Sequence, residues 1–191
     1  MTSSLTLGVD PGSPGAAVFL RSASPRPRLA LALRWSANRR GYLLRGYRPG
    51  GEGLEETQLR GVDSALGDAI LTGYRSLCPL GAAAPRLRLA CEDVFAHPKN
   101  ARTAIVLARM TGCLMTRIEI ASGEQTAYTL ASSWRAQLLR LRANTPREQA
   151  KRASLQYLPP LIEGLEEALQ ALGRYDHVTD AAGVALWRAR Q

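Results

Sequence analysis

Four residues of this 191-residue chain could do chemistry together: Asp10, Glu92, His177 and Asp180. Asp10 closes the short apolar run "LTLGVD" and is followed at once by "PGSPG". Glu92 ends a second run, "LRLACE", whose near-continuous apolar character suits a strand buried on both faces. His177 and Asp180 stand three apart in "YDHVTDAAGVALW", a spacing that puts both on one face of a helix. If the strands carrying Asp10 and Glu92 are neighbours at the centre of a sheet, their carboxylates converge and the last helix can cap them. Clustered carboxylates repel one another and lose solvation, a cost that divalent cations bound between them would offset. Two such ions, about 4 Å apart, could activate water and stabilise a leaving oxygen in phosphodiester hydrolysis. Each residue also has a plainer reading. Asp before Pro-Gly starts a turn or leads into a nucleotide-binding loop. Asp180 could complement the helix dipole, with Asp176 as the cap. Glu92 is harder to set aside, because a charge ending a buried strand needs a partner or a purpose. Its neighbour Asp93 should face the other way, towards solvent or a salt bridge.

The charge balance points the same way. With 25 basic against 16 acidic residues the net charge is +9, and a basic chain of this size commonly meets a polyanion. Only Lys99 and Lys151 are lysines; the other cations are arginines, whose planar fork matches phosphate bidentately. Cys78, Cys91 and Cys113 lack C-x-x-C spacing and read as reduced core thiols rather than as a disulfide or zinc framework. No apolar run reaches membrane-spanning length and the first ten residues lack a secretory pattern, so a soluble, intracellular protein is expected.

Positioning these residues falls to a mixed α/β fold. Residues 5–10, 15–21 and 29–35 read as three antiparallel strands joined by Pro/Gly turns. "NRRGYLLRGYRPGGEG" reads as a basic, aromatic loop or hairpin inserted at about 36–57. A helix is expected over 55–77, with Leu59, Val62, Leu66, Ala69, Ile70 and Leu77 on one stripe. A buried strand to Glu92, a helix through "KNARTAIVLARMTG", a strand in "TAYTLASS" and further helices follow. Thr145, Pro146 and Glu148 form a helix-start signature: cap, first-turn proline and capping-box acid. The whole chain is expected to be one domain built on a five-stranded sheet.

Three stretches, in order, resemble the RuvC-like Holliday junction resolvases of the RNase H-like superfamily. "GVDPGSPGAAV" resembles their first acidic motif. "ACEDVFAHPKNARTAIVLARMTG" resembles the second, with Glu followed by Phe, Lys-Asn-Ala and a Gly-ended helix. "HVTDAAGVALW" resembles the last, where some members carry Asp in place of His. The resemblance implies an RNase H-like fold and a structure-selective endodeoxyribonuclease acting on four-way or branched DNA as a homodimer. It implies that Asp10, Glu92, His177 and Asp180 bind two Mg²⁺ or Mn²⁺ ions, imidazole favouring manganese. Phe95 matches an aromatic residue near the junction crossover, with Lys99 and Asn100 beside it. Arg135, Arg147 and Lys151 fall where the family places basic residues facing the scissile strand. The 36–57 loop lengthens the interval from Asp10 to Glu92 and suggests a phage-type member. Its Tyr42 and Tyr47, set among Arg39, Arg40, Arg45 and Arg48, are expected to contact DNA arms by stacking and phosphate pairing. The KNARTAIVLARMTG helix is an interface candidate.

Two other readings stay open on sequence grounds. A DNA-binding module could keep this fold without catalysis. An ATPase related to actin and the sugar kinases shares the opening strand, Asp and Gly-rich turn, but needs a second domain and a second phosphate loop.

Overall fold

The computed structural model describes residues 4–23, 25–51, 55–60, 63–78, 84–93, 101–142, 144–173 and 176–191. The described strands are β1 (Ser4–Asp10), β2 (Gly15–Arg21), β3 (Arg28–Asn38), β4 (Gly41–Tyr47), β5 (Glu55–Arg60), β6 (Arg86–Glu92) and β7 (Thr126–Thr129). The described helices are α1 (Asp63–Ser76), α2 (Ala101–Ser122), α3 (Ala131–Leu139), α4 (Arg147–Tyr157), α5 (Leu165–Leu172) and α6 (Asp176–Ala189). The strands form one sheet in the order β5-β4-β3-β2-β1-β6-β7. β1 to β5 are consecutive antiparallel neighbours, whereas β6 pairs parallel with β1 and with β7.

The side-chain alternation of the central strands divides the apolar residues between two cores. Leu5, Leu7, Val9, Phe19 and Leu89 face α1 and α2. Ala16, Val18, Ala32 and Ala90 face α6, α5 and Trp134 of α3. The small residues on the second face let α6 lie close to the sheet. Gly8 sets the limit: a Cβ there would stand 2.2 Å from the Ala181 carbonyl oxygen and 2.4 Å from the Ala185 nitrogen. A glycine inside a strand thus marks a close backbone approach, here by the helix that carries His177 and Asp180.

The mixed α/β expectation holds, with a correction to the strand count: the sheet has seven strands instead of five. The expected basic loop supplies the difference, because β4 occupies its centre and β5 follows. Strand β4 alternates Tyr42, Leu44 and Gly46 against Leu43, Arg45 and Tyr47, a two-residue period that its glycines and arginines obscure. The helix expected from 55 begins only at Asp63, so Leu59 reaches the core from a strand. Val62 lies outside the described residues. Leu66 and Ile70 are fully buried, as their spacing predicts. Helix α4 starts at Arg147 with Pro146 at its cap position and no side-chain capping bond, so the Thr145 cap is not formed. Cys91 is buried but Cys113 is exposed on α2, which corrects its reading as a core thiol. No helix among the described residues is long and apolar enough to cross a membrane.

Candidate functional site

The parallel pairing of β1 with β6 places Asp10 and Glu92 side by side at the carboxyl ends of two central strands. The register runs from Ser4 opposite Arg86 to Val9 opposite Cys91, one step before the two acids. Helix α6 packs across β1, β2 and β6 and brings His177 and Asp180 over the same strand ends. Asp10, Glu92 and Asp180 line one cleft of about 770 Å³, whose other wall is built from α3, α4 and the segment between them.

Asp10 serves two partners. Its Oδ1 accepts from the Gly12 N–H at 3.3 Å, the turn bond its Pro-Gly context suggests. Its Oδ2 accepts from His177 Nδ1 at 2.7 Å. The turn is locked from behind, where Trp35 donates from Nε1 to the Gly12 carbonyl at 3.0 Å. Turn residue and site residue are therefore the same carboxylate.

Glu92 accepts from Trp134 Nε1 at 3.1 Å. The Arg135 guanidinium lies 4.8 Å from the centre of the same indole and donates to Asp180 Oδ1 at 2.6 Å. The indole thus holds one acid through its N–H edge and steadies the cation that holds another. Gly183 makes room for it, since a Cβ there would stand 2.5 Å from the ring. Neither Trp134 nor Gly183 was picked out from the sequence. Their signals are a glycine inside a helix, which lowers helix stability unless a neighbour needs the space, and an indole beside a charge.

Negative charge is in excess at this spot. Burial, then repulsion from Asp10 and Asp180, raises the Glu92 carboxyl to about 8. Burial raises Asp180 to about 6 although Arg135 pulls the other way. The hydrogen bond to Asp10 raises His177 against the opposing effect of its own burial. Three carboxylates and an imidazole in such surroundings fit a hard or borderline divalent cation by donor chemistry. As the side chains stand, no three donors among the described residues surround one point. Asp180 is turned to Arg135, whose charge partly balances the acids, and His177 is turned to Asp10.

A pH dependence of known sign follows. All three raised groups bind protons more tightly in the folded chain than in the unfolded one, so stability falls as pH rises through their folded values. Metal-free protein should melt at progressively lower temperature from pH 5 to pH 8.5. Glu92→Gln should flatten that slope. Thermal denaturation in EDTA checks this; a melting temperature that rises across the interval contradicts it.

The structure gathers some of the expected basic residues here and disperses others. Arg147 and Lys151 line the cleft from α4, and Lys151 pairs with Asp176 at 2.5 Å. Arg135 also lines it, but as the buried partner of Asp180. Asp93 is exposed on the cleft wall. Tyr42 and Tyr47 are not brought to the cleft. Five residues apart on one strand, they face opposite sides and pack against the two cores, and the Tyr42 hydroxyl meets Met110 Sδ at 3.5 Å. Phe95, Lys99 and Asn100 lie outside the described residues.

No family model matches the sequence, and no curated protein does. Solved structures do match. One is Thermus thermophilus RuvC in complex with Holliday junction substrate, at 13% identity and a TM-score of 0.59, over 97% of this chain and 92% of that one. Another structure of Thermus thermophilus RuvC matches at 14% identity and a TM-score of 0.50, over 97% and 93%. The chain therefore has a RuvC-like fold, the RNase H-like architecture its three motifs led us to expect. Beyond the five strands of that expectation it carries β4 and β5.

Proposed function

We propose that this chain is a Mg²⁺- or Mn²⁺-dependent endodeoxyribonuclease that resolves four-way or branched DNA. The carrying observation is the convergence of Asp10, Glu92, His177 and Asp180 from three separate elements onto one end of the sheet. Asp10, Glu92 and Asp180 line the cleft, and His177 is bonded to Asp10 beside it. The RuvC-like fold supports the same reading.

In this account Asp10 and Glu92 hold the cations from the strand ends, and Asp180 and His177 complete the set from α6. The bound ions would supply a nucleophilic water at neutral pH and neutralise charge developing on the phosphodiester. The chain's own groups prepare the site. Trp134 fixes the Glu92 carboxylate through its N–H, and Gly12 fixes Asp10 through the turn. Arg135 keeps Asp180 ionised and can turn towards a phosphate once a cation takes over that carboxylate. Arg147 and Lys151 on the opposite wall would meet the backbone of the scissile strand. The stretch with Phe95, Lys99 and Asn100 follows Glu92 in sequence and is assigned to the junction crossover by the resemblance alone. A pair of chains would present two such clefts to opposite strands of a two-fold symmetric junction. Ile105, Val106 and Ile120, exposed on α2, support pairing through that helix.

The test is a substrate panel. Labelled four-way junction, linear duplex and ATP are each incubated with the protein, with and without Mg²⁺ or Mn²⁺. Metal-dependent paired nicks confined to the junction are expected. Binding without nicks would favour a silent DNA-binding module, and ATP turnover without nicks would favour the kinase-like reading.

A further inference from the structure

The row of paired residues that starts at Asp10 runs on through β2 and β3 into the two added strands. Reading across the strands at the level of Asp10, the partners run Asp10 to Ala16, Ala16 to Arg34, Arg34 to Arg45 and Arg45 to Glu56. Residues paired in this way share a face. Ala16 lies under α6, and the half-buried Arg34 and Arg45 follow it on the same side as Asp10. At about 4.8 Å per strand they stand roughly 10 and 14 Å from Asp10.

Neither arginine belongs to either apolar core. With Ser36 and Leu43 they line a shallow hollow of about 210 Å³ on the sheet face. Arg45 is paired at 2.7 Å with Glu56, but both side chains are about half exposed, 41% and 51%, so the pair is weak and exchangeable. The hairpin then runs on. From Arg34 to Asn38 β3 extends about 13 Å past the level of Asp10. Arg39 and Arg40 sit exposed at its tip, where the Arg40 N–H is held by Asn38 Oδ1 at 2.8 Å.

We propose that this face of the β3–β4 hairpin is a binding site for the sugar-phosphate backbone of one duplex arm, with Arg34 and Arg45 as its phosphate contacts. The inference rests on the nuclease reading and deepens it by saying where an arm leaves the cleft. Charge selects the occupant: two arginine side chains on the strand row that starts at Asp10, beside a site proposed to act on phosphodiesters, suit a polyanion. Duplex advances about 3.4 Å per nucleotide along its axis, so with the arm's axis along this row the contacts fall three to four nucleotides from the scissile phosphate. Phosphate pairing by Arg45 is one part of the contact expected of this stretch, while Tyr42 and Tyr47 pack against the two cores.

Junction binding by the full chain is measured in EDTA across a series of salt concentrations, with phosphate-ethylation interference on the same junction. Arg34→Gln/Arg45→Gln should lower the slope of log affinity against log salt by about two, near 0.9 per lost phosphate contact. It should also erase interference at phosphates three to four nucleotides from the nick. Arg45→Gln alone, at a half-exposed position, should give about half the change in slope. Glu56→Gln should act oppositely and tighten binding. If the wild type cleaves junctions while the double variant keeps its slope and interference pattern, this inference fails and the nuclease reading stands. A wild-type chain that neither binds nor cleaves junctions overturns both.

Discussion

Glu92→Gln is expected to lower the rate of junction cleavage by at least about a thousandfold, on the order of 4 kcal/mol of transition-state stabilisation, while leaving the metal-free protein as stable as before or more so at pH 8. The two effects have opposite sign because one carboxylate causes both. Glu92 is part-buried beside Asp10 and Asp180, so ionising it without a cation costs stability, which is why its carboxyl is raised to about 8. Glutamine keeps the acceptor for Trp134 Nε1 and removes the charge. What it cannot do is hold a divalent cation as a carboxylate does. Single-turnover cleavage and EDTA-phase melting of the same preparation measure both effects. A variant that loses stability and activity in parallel would mean that Glu92 is a structural residue.

Gly8→Ala should fail in the other way, losing stability and activity together. The added Cβ would meet the Ala181 carbonyl oxygen, the Ala185 nitrogen and the Ala185 Cα, at 2.2, 2.4 and 2.8 Å. All three are backbone atoms, so no rotamer change relieves the contact and α6 must lift from β1. Overpacking of this kind costs about 3 kcal/mol. For a chain of this length that is a fall of about 6 to 12 °C in melting temperature. The same displacement draws His177 away from Asp10, breaking a bond of 2.7 Å that crosses from helix to strand. Activity should therefore be low even at temperatures where the variant remains folded. Unchanged melting and cleavage would show that α6 does not rely on the missing side chain.

How far the sequence spoke for the structure depended on where each segment lies. β1, β2, β6 and α6 were legible because they are central: burial on one or both faces imposes apolar runs and leaves the polar exceptions conspicuous. Asp10, Glu92, His177 and Asp180 stood out for that reason. β5 was not legible, because "EETQLR" is a sheet-edge strand with five of six residues exposed. Its residues are good helix formers, and backbone pairing with β4 overrides that preference. The α4 start failed differently. Cap, proline and acid are all present in the sequence, but the helix begins one residue later and the threonine is left outside it. Arg135 reads in the sequence as a cation facing the scissile strand. Only the fold shows that it lies under the cleft, clamped between Trp134 and Asp180.

The central claim is that one cleft binds divalent cations through these four side chains and uses them to cut branched DNA. Cleavage of an end-labelled four-way junction under single-turnover conditions, with Mn²⁺ occupancy determined on the same samples, tests it most directly. Paired nicks and Mn²⁺ binding should rise together in the wild type, and Asp10→Asn should lose both while still binding the junction. Nicking that needs no divalent ion, or that proceeds in Asp10→Asn at the wild-type rate, would contradict it.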